Sequence, residues 1–361
     1  MSWKSLQADY PWITPNAPFV VSAPTMKISM GRLAVTVSAH GGLGFLAGGF
    51  DLSTLSKDLS EAADIARSIQ LPLHKGALPI GVGFQNWGSD LQLALDAIAK
   101  HPVVAVWFFA PQKPSDLVAW AEEIRSATDG KTKIWVQVGT VAEAVEVAKT
   151  TKPDVLVVQG ADSGGHGVIH RAGIVALLPE VADALTQEGV DIPLIAAGGI
   201  VDGRGAAAAL TLGASGVALG TRFLASKEAV IAKGYQDEIL RAGDGGVSTV
   251  STKIYDVVRG IKGWPVGYHG RGLVNRTYLD ALQGMGQGEN EALYKEAIKQ
   301  GDAGWGPEGR MTTYAGTAVG LVREVSSAEQ IVQSIQREAI EALNQTVSRY
   351  GKQSQFVQNA A

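Results

Sequence analysis

Eight short apolar runs, separated by amphipathic stretches, limit most severely what this chain can fold into. They cover residues 19–22, 43–47, 80–84, 103–108, 133–138, 155–159, 193–197 and 216–220. Val, Ile and aromatic side chains dominate them. The runs are mostly continuous rather than alternating, as expected of parallel strands covered on both faces. Between them, Leu55, Leu59, Ala62, Ile65 and Ile69 build one helix face. Ser89-x-x-Gln92 and Thr140-x-x-Glu143 read as capping boxes, and Ser115 as the cap of the helix that runs toward Ala127. Residues 172–188 and 203–212 supply two more helices. Run, helix, run, helix is the signature of stacked βαβ units, and eight of them predict an α/β (β/α)8 TIM barrel. A doubly wound open sheet is the rival architecture.

The eighth helix does not follow the eighth run directly. The next clean amphipathic pattern is 326–346, with a capping box Ser326-x-x-Glu329 and Ile331, Ile335, Ala339, Ala342 and Leu343 on one face. The expected division is a barrel domain of residues 1–224 and 316–361, with a small, mainly helical subdomain of residues 225–315 inserted between them. That insert would lie over the barrel mouth, because barrel strands end at that face. It carries Gly263-Trp264-Pro265 and the cations Arg259, Arg271 and Arg276. Closure over a ligand and a homodimer contact are the two uses open to it.

Composition narrows the chemistry. The chain has 361 residues and no cysteine, which removes disulfides, thiolate nucleophiles, Cys-type zinc sites and iron–sulfur clusters. Lys and Arg number 31 against 35 Asp and Glu, a net charge of −4, which argues against a nucleic-acid groove or a polybasic membrane patch. No stretch reaches the roughly 18 apolar residues of a membrane span. The first ten residues lack an apolar leader core and residues 358–361 form no peroxisomal or retention signal, so a cytoplasmic location is expected.

Glycine is over-represented, at 44 residues, and its clusters fall mainly after strand ends. The third run holds Gly81 and Gly83, the sixth leads into Gly160, Gly164, Gly165 and Gly167, the seventh into Gly198 and Gly199, and the eighth into Gly220 and Thr221. Loops after the seventh and eighth strands of such barrels commonly form a phosphate site, where glycine lets backbone N–H groups approach the oxygens. A phosphorylated ligand or cofactor is therefore expected. Two other patterns point less far. Gly42-x-Gly44-x-x-x-Gly48 is one residue too long for a dinucleotide fingerprint and lies on a strand. His166-x-x-x-His170 with Asp162 would hold a metal only on a helix, which the surrounding glycines disfavour, so no metal is expected.

The loop motifs carry a resemblance. Gln159-Gly-Ala-Asp-Ser-Gly-Gly-His166, Ile192-Pro-Leu-Ile-Ala-Ala-Gly-Gly-Ile200 with Asp202-Gly203-Arg204, and Gly216-Val-Ala-Leu-Gly-Thr-Arg-Phe223 resemble the nitronate monooxygenases, formerly called 2-nitropropane dioxygenases. Ser22-Ala-Pro24, Gly41-Gly-Leu-Gly44 and Tyr314-Ala-Gly316 fit the same family. The resemblance implies an FMN enzyme on a TIM barrel. It places the FMN phosphate at Gly198, Gly199, Gly220 and Thr221, and flavin contacts at Ala23, Pro24, Met26, Gly83, Gln159, Gly164 and Gly165. Two departures stand out: Gly83 falls where many members carry Asn, and Thr25 separates Pro24 from Met26. His40 stands where Ala is more usual and reads as a buried, hydrogen-bonded histidine.

The family places its catalytic base at His166. The physical case agrees, since imidazole exchanges protons near neutral pH. The implied reaction takes a small alkyl nitronate, or a nitroalkane after removal of its α-proton, with molecular oxygen to a carbonyl compound and nitrite. The alternatives are an NADH-dependent FMN reductase of quinones or enoyl thioesters on the same scaffold, and a phosphate-binding barrel without redox function. An aldolase of the latter class would want a Lys at a strand end, and the last three runs end without one.

Overall fold

A computed structural model describes residues 2–351; residues 358–361, read above for a targeting signal, lie outside the described residues. Eight parallel strands close the barrel: β1 (Val20–Ser22), β2 (Leu43–Gly49), β3 (Leu78–Gln85), β4 (Val103–Phe109), β5 (Lys133–Val138), β6 (Val155–Gln159), β8 (Leu194–Ala197) and β9 (Gly216–Leu219). The ring closes by Val20 pairing with Val217 and Ser22 with Leu219. All eight runs are barrel strands, and helices separate them. No helix among the described residues is long and apolar enough to cross a membrane.

The barrel interior is aromatic. Phe45, Trp107 and Trp135 meet with ring centroids 5.1 to 6.0 Å apart. Their bulk requires small neighbours: a Cβ on Gly81 would stand 2.2 Å from the Phe45 ring. The chain before β1 closes the end where strands begin. Leu6, Tyr10 and Ile13 are buried there, and Trp135 Nε1 donates to Tyr10 Oη at 2.8 Å. Outward-facing strand residues pack on the surrounding helices, and Gly44 lets helix Gly31–Ala39 approach so closely that a Cβ would meet Ala34 O at 2.0 Å.

Helix starts differ from three expectations. Asp90, not Ser89, caps helix Leu91–Lys100 by accepting from Leu93 N at 2.9 Å, while the Ser89 hydroxyl donates to Gly49 O. Ser115 lies inside helix Pro114–Ala127, because proline's fixed φ suits the first helical position and Asp116 accepts from Lys113 N. The last capping box is Ser327 with Gln330, opening helix Ala328–Tyr350; the Ser326 hydroxyl is taken by Arg222. Thr140 caps as expected, accepting from Glu143 N.

After β9 come helices Lys233–Arg241, Ile254–Val258, Arg276–Leu282 and Gln287–Lys299, and two strands, β10 (Thr249–Thr252) and β11 (Tyr268–Leu273). These strands add to β7 (Gly165–Val168), in the loop after β6, as an antiparallel sheet of order β10-β11-β7. Tyr-His-Gly-Arg-Gly-Leu in β11 has no apolar run, so its strand character is set by its partners. In this register Gly270 faces His166 and Arg271 faces Gly165.

Candidate active site

One cavity of about 700 Å³ opens at the C-terminal mouth of the barrel, within the usual range for small-molecule sites. His166 and every residue that the resemblance assigned to the cofactor line it. Ala23, Pro24 and Met26 come from the β1 end, Gly83 from β3, Gln159, Gly164, Gly165 and His166 from the β6 end and its loop, Gly198 and Gly199 from the β8 end, and Gly220 and Thr221 from the β9 end.

The glycines serve distinct purposes. Gly198 and Gly199 have φ of +103° and +75°, a left-handed backbone that turns the chain sharply after β8. A Cβ on Gly164 would stand 2.5 Å from the Ala315 carbonyl carbon and Gly316 N, so this glycine admits the strand-like return of residues 314–316. Gly316 N in turn donates to Thr221 Oγ1 at 3.0 Å. A Cβ on Gly83 would stand 2.3 Å from the Pro24 ring, which leaves no room there for a side chain. Two residues further along the same strand face, Gln85 lines the cavity with Oε1 buried and unpartnered. Trp264 Nε1 is a second buried, unpartnered polar atom of a lining residue.

His166 is not in an irregular loop. It sits in β7, held by β11, and Gln159 Nε2 donates to its carbonyl at 3.0 Å. Its ring stacks on Trp264 at 3.8 Å and 6° between planes. Its Nε2 lies 2.9 Å from both carboxylate oxygens of Asp256, and the two side chains are only 9% and 8% exposed. Tyr314 Oη donates to Asp256 Oδ1 at 3.1 Å, and Arg259 Nη1 donates to Tyr314 Oη at 3.3 Å. Burial, and then the Asp256 charge, hold the Tyr314 phenol well above its ordinary value, so it remains a donor. His166 is extended in β7 and turned to Asp256, and Asp162 Oδ1 accepts from Thr317 Oγ1.

Of the three insert arginines named above, Arg259 lines the cavity, as does Lys295. Arg276 pairs with Asp280 and Glu308. Arg271 donates to Thr249 behind the site, near Arg171, whose guanidinium is lowered to about 10 by burial and by Arg271. His40 caps helix Gly31–Ala39 at the opposite barrel end; its Nδ1 bonds Thr36 O at 2.8 Å, but the ring is about one-third exposed rather than buried.

Sequence reasoning missed Asp256, Trp264 as a stacking partner, Gln85 and Gln137. Asp256 stands 90 positions from His166, in a helix of five residues, and nothing local marks the pairing. Gln85 was legible in principle, as the polar end of an otherwise apolar run.

Three features of the site suit a phosphorylated flavin cofactor. Gly198 and Gly199, at positive φ, and Gly220 line the cavity and would let a phosphate approach the backbone closely. The cavity is aromatic-walled, and it presents buried polar atoms, Gln85 Oε1 and Trp264 Nε1, that the protein itself does not satisfy.

The family model described as nitronate monooxygenase matches residues 80–338. The nitronate monooxygenase npaC of Metarhizium robertsii is 50% identical, over 96% of this chain and 97% of that protein. Among solved structures, FabK from Thermotoga maritima superposes with a TM-score of 0.72 at 24% identity, over 96% of this chain and 98% of that one, a likeness of fold. A nitroalkane oxidase from Streptomyces ansochromogenes superposes with a TM-score of 0.67 at 25% identity, over 91% of this chain and 98% of that one.

Proposed function

The chain belongs to the nitronate monooxygenase family, and from that premise we propose that it oxidises small alkyl nitronates, and nitroalkanes after deprotonation, with molecular oxygen to a carbonyl compound and nitrite, using FMN. Bound FMN would supply the electron-transfer chemistry, held by the β8 and β9 glycine turns with Thr221 and by the walls from β1, β3 and β6.

The observation that carries the reading is the joint presence of an imidazole and a guanidinium, His166 and Arg259, on one aromatic-walled cavity. A nitronate is an anion, and the guanidinium of Arg259, an exposed residue that lines the cavity, attracts it. Arg259 is fixed by Tyr314, so its charge has a defined place. A neutral nitroalkane needs a base, and His166 is the side chain on this wall able to take a proton at neutral pH. Trp264 and Tyr314 flank the imidazole and exclude water from it.

The test begins with the visible spectrum of the purified full chain and chromatography of the cofactor released on denaturation. Oxygen consumption is then followed on adding ethylnitronate. FMN release together with oxygen uptake and nitrite formation is the expected result. Colourless protein with no flavin, or flavoprotein that ignores nitronate but oxidises NADH under nitrogen, overturns it.

A further inference from the structure

Asp256 comes from the insert, yet its carboxylate meets the one imidazole that the barrel loop presents to the cavity. Both oxygens sit 2.9 Å from Nε2. An ionised carboxylate can only accept, so this contact requires the proton on Nε2. The neutral ring then has its lone pair on Nδ1. We propose that Asp256 is a positioning residue that fixes the Nε2–H tautomer of His166, making Nδ1 the proton-accepting atom, and that Tyr314 tempers it by donating to the same carboxylate. This inference rests on the function proposed above.

The arrangement has three parts with separable effects. Stacking on Trp264 sets the ring plane. Asp256 sets the rotation within that plane and which nitrogen carries hydrogen. Its negative charge also stabilises the imidazolium formed when Nδ1 takes the α-proton, with the C–H electron pair left on the nascent nitronate. Tyr314 Oη withdraws part of that charge, and Arg259 polarises Tyr314. The titratable and charged groups around His166 are Asp256 and Arg259 of the helix 254–258 and its end, Tyr314 of the return segment, and His269 of β11, whose own imidazole is lowered by burial and by Lys253.

A preformed nitronate needs no base, whereas a nitroalkane does, and that difference isolates the role. In the flavin-loaded Asp256→Asn enzyme, kcat/KM for nitroethane falls by at least about 10²-fold, while kcat/KM for ethylnitronate changes by less than about threefold. The acidic limb of the nitroethane profile moves to lower pH in Asp256→Asn. It moves to higher pH in Tyr314→Phe, where the carboxylate keeps its full charge. Independently of turnover, 15N spectra of histidine-labelled protein, assigned with His166→Asn, show Nε2 protonated and Nδ1 bare in neutral His166, and a lower titration midpoint in Asp256→Asn. Equal losses for both substrates, an unmoved limb, or an unmoved midpoint overturns the proposal. If the parent enzyme oxidises neither substrate, the proposed function fails, and the 15N midpoint and tautomer still decide the role of Asp256.

Discussion

At the residue scale, the proposed function assigns the chemistry to His166 and close backbone approach to the glycines around it. His166→Asn removes the proposed proton acceptor while keeping a polar side chain of smaller volume. Its expected outcome is loss of nitroethane oxidation by about 10²-fold or more, with flavin content and ethylnitronate turnover retained; parallel assays on the two substrates check it. Gly83 and Gly164 were legible as glycines at strand ends. Why each must be glycine was not, because the Pro24 ring and the 315–316 backbone that exclude a Cβ come from remote segments. Gln85 restores a polar group to the third strand's end two residues beyond Gly83, on the same face by strand alternation.

At the element scale, periodicity predicted the eight strands and their helices, because both faces of a barrel strand are apolar and one face of each helix is. Caps were placed less well. Ser89, Ser115 and Ser326 each sit one or two residues from a helix start, and competing hydroxyl partners or a proline decide which residue caps. Helix Val141–Thr150 shows a cap with a second duty. Glu143 accepts from Gly139 N at 2.7 Å and lies against Tyr268 of β11, and burial raises its carboxyl above the ordinary 4.5. The folded state therefore holds that proton more tightly than the unfolded chain does. The stability from this group is present below pH 4.5 and is lost as pH rises through the raised value. Glu143→Gln keeps an acceptor and abolishes the titration, so its stability relative to the parent should increase as pH rises above 4.5. Urea unfolding across that range checks it, and a pH-independent difference contradicts it.

At the scale of the whole molecule, the barrel separates a stability end from a functional end. Tyr10 and Trp135 belong to the first. Tyr10→Phe leaves the Trp135 indole N–H buried without its partner, at a cost of about 1–3 kcal/mol. Melting temperature should fall while nitronate kcat/KM stays within about twofold, measured by calorimetry and oxygen uptake. A fall in both would mean that the plug communicates with the mouth. The insert belongs to the functional end: its β11 extends the β6 loop into a sheet, and Gln112 Nε2 donates to Gly263 O at 2.7 Å to tie its turn to the barrel.

The amino-acid sequence by itself determined the barrel, the position of the glycine turns and the candidacy of His166. Those features rest on periodicity, on residue type and on motifs whose members lie within a dozen positions of one another. Only the tertiary structure decided what faces His166. Asp256, Trp264 and Tyr314 are brought to it by the pairing of β7 with β11, between segments about 100 residues apart. Hydrogen bonds of that pairing are backbone groups common to every residue, so no side-chain pattern announces it, and the carboxylate that governs the imidazole becomes visible only when the strands meet.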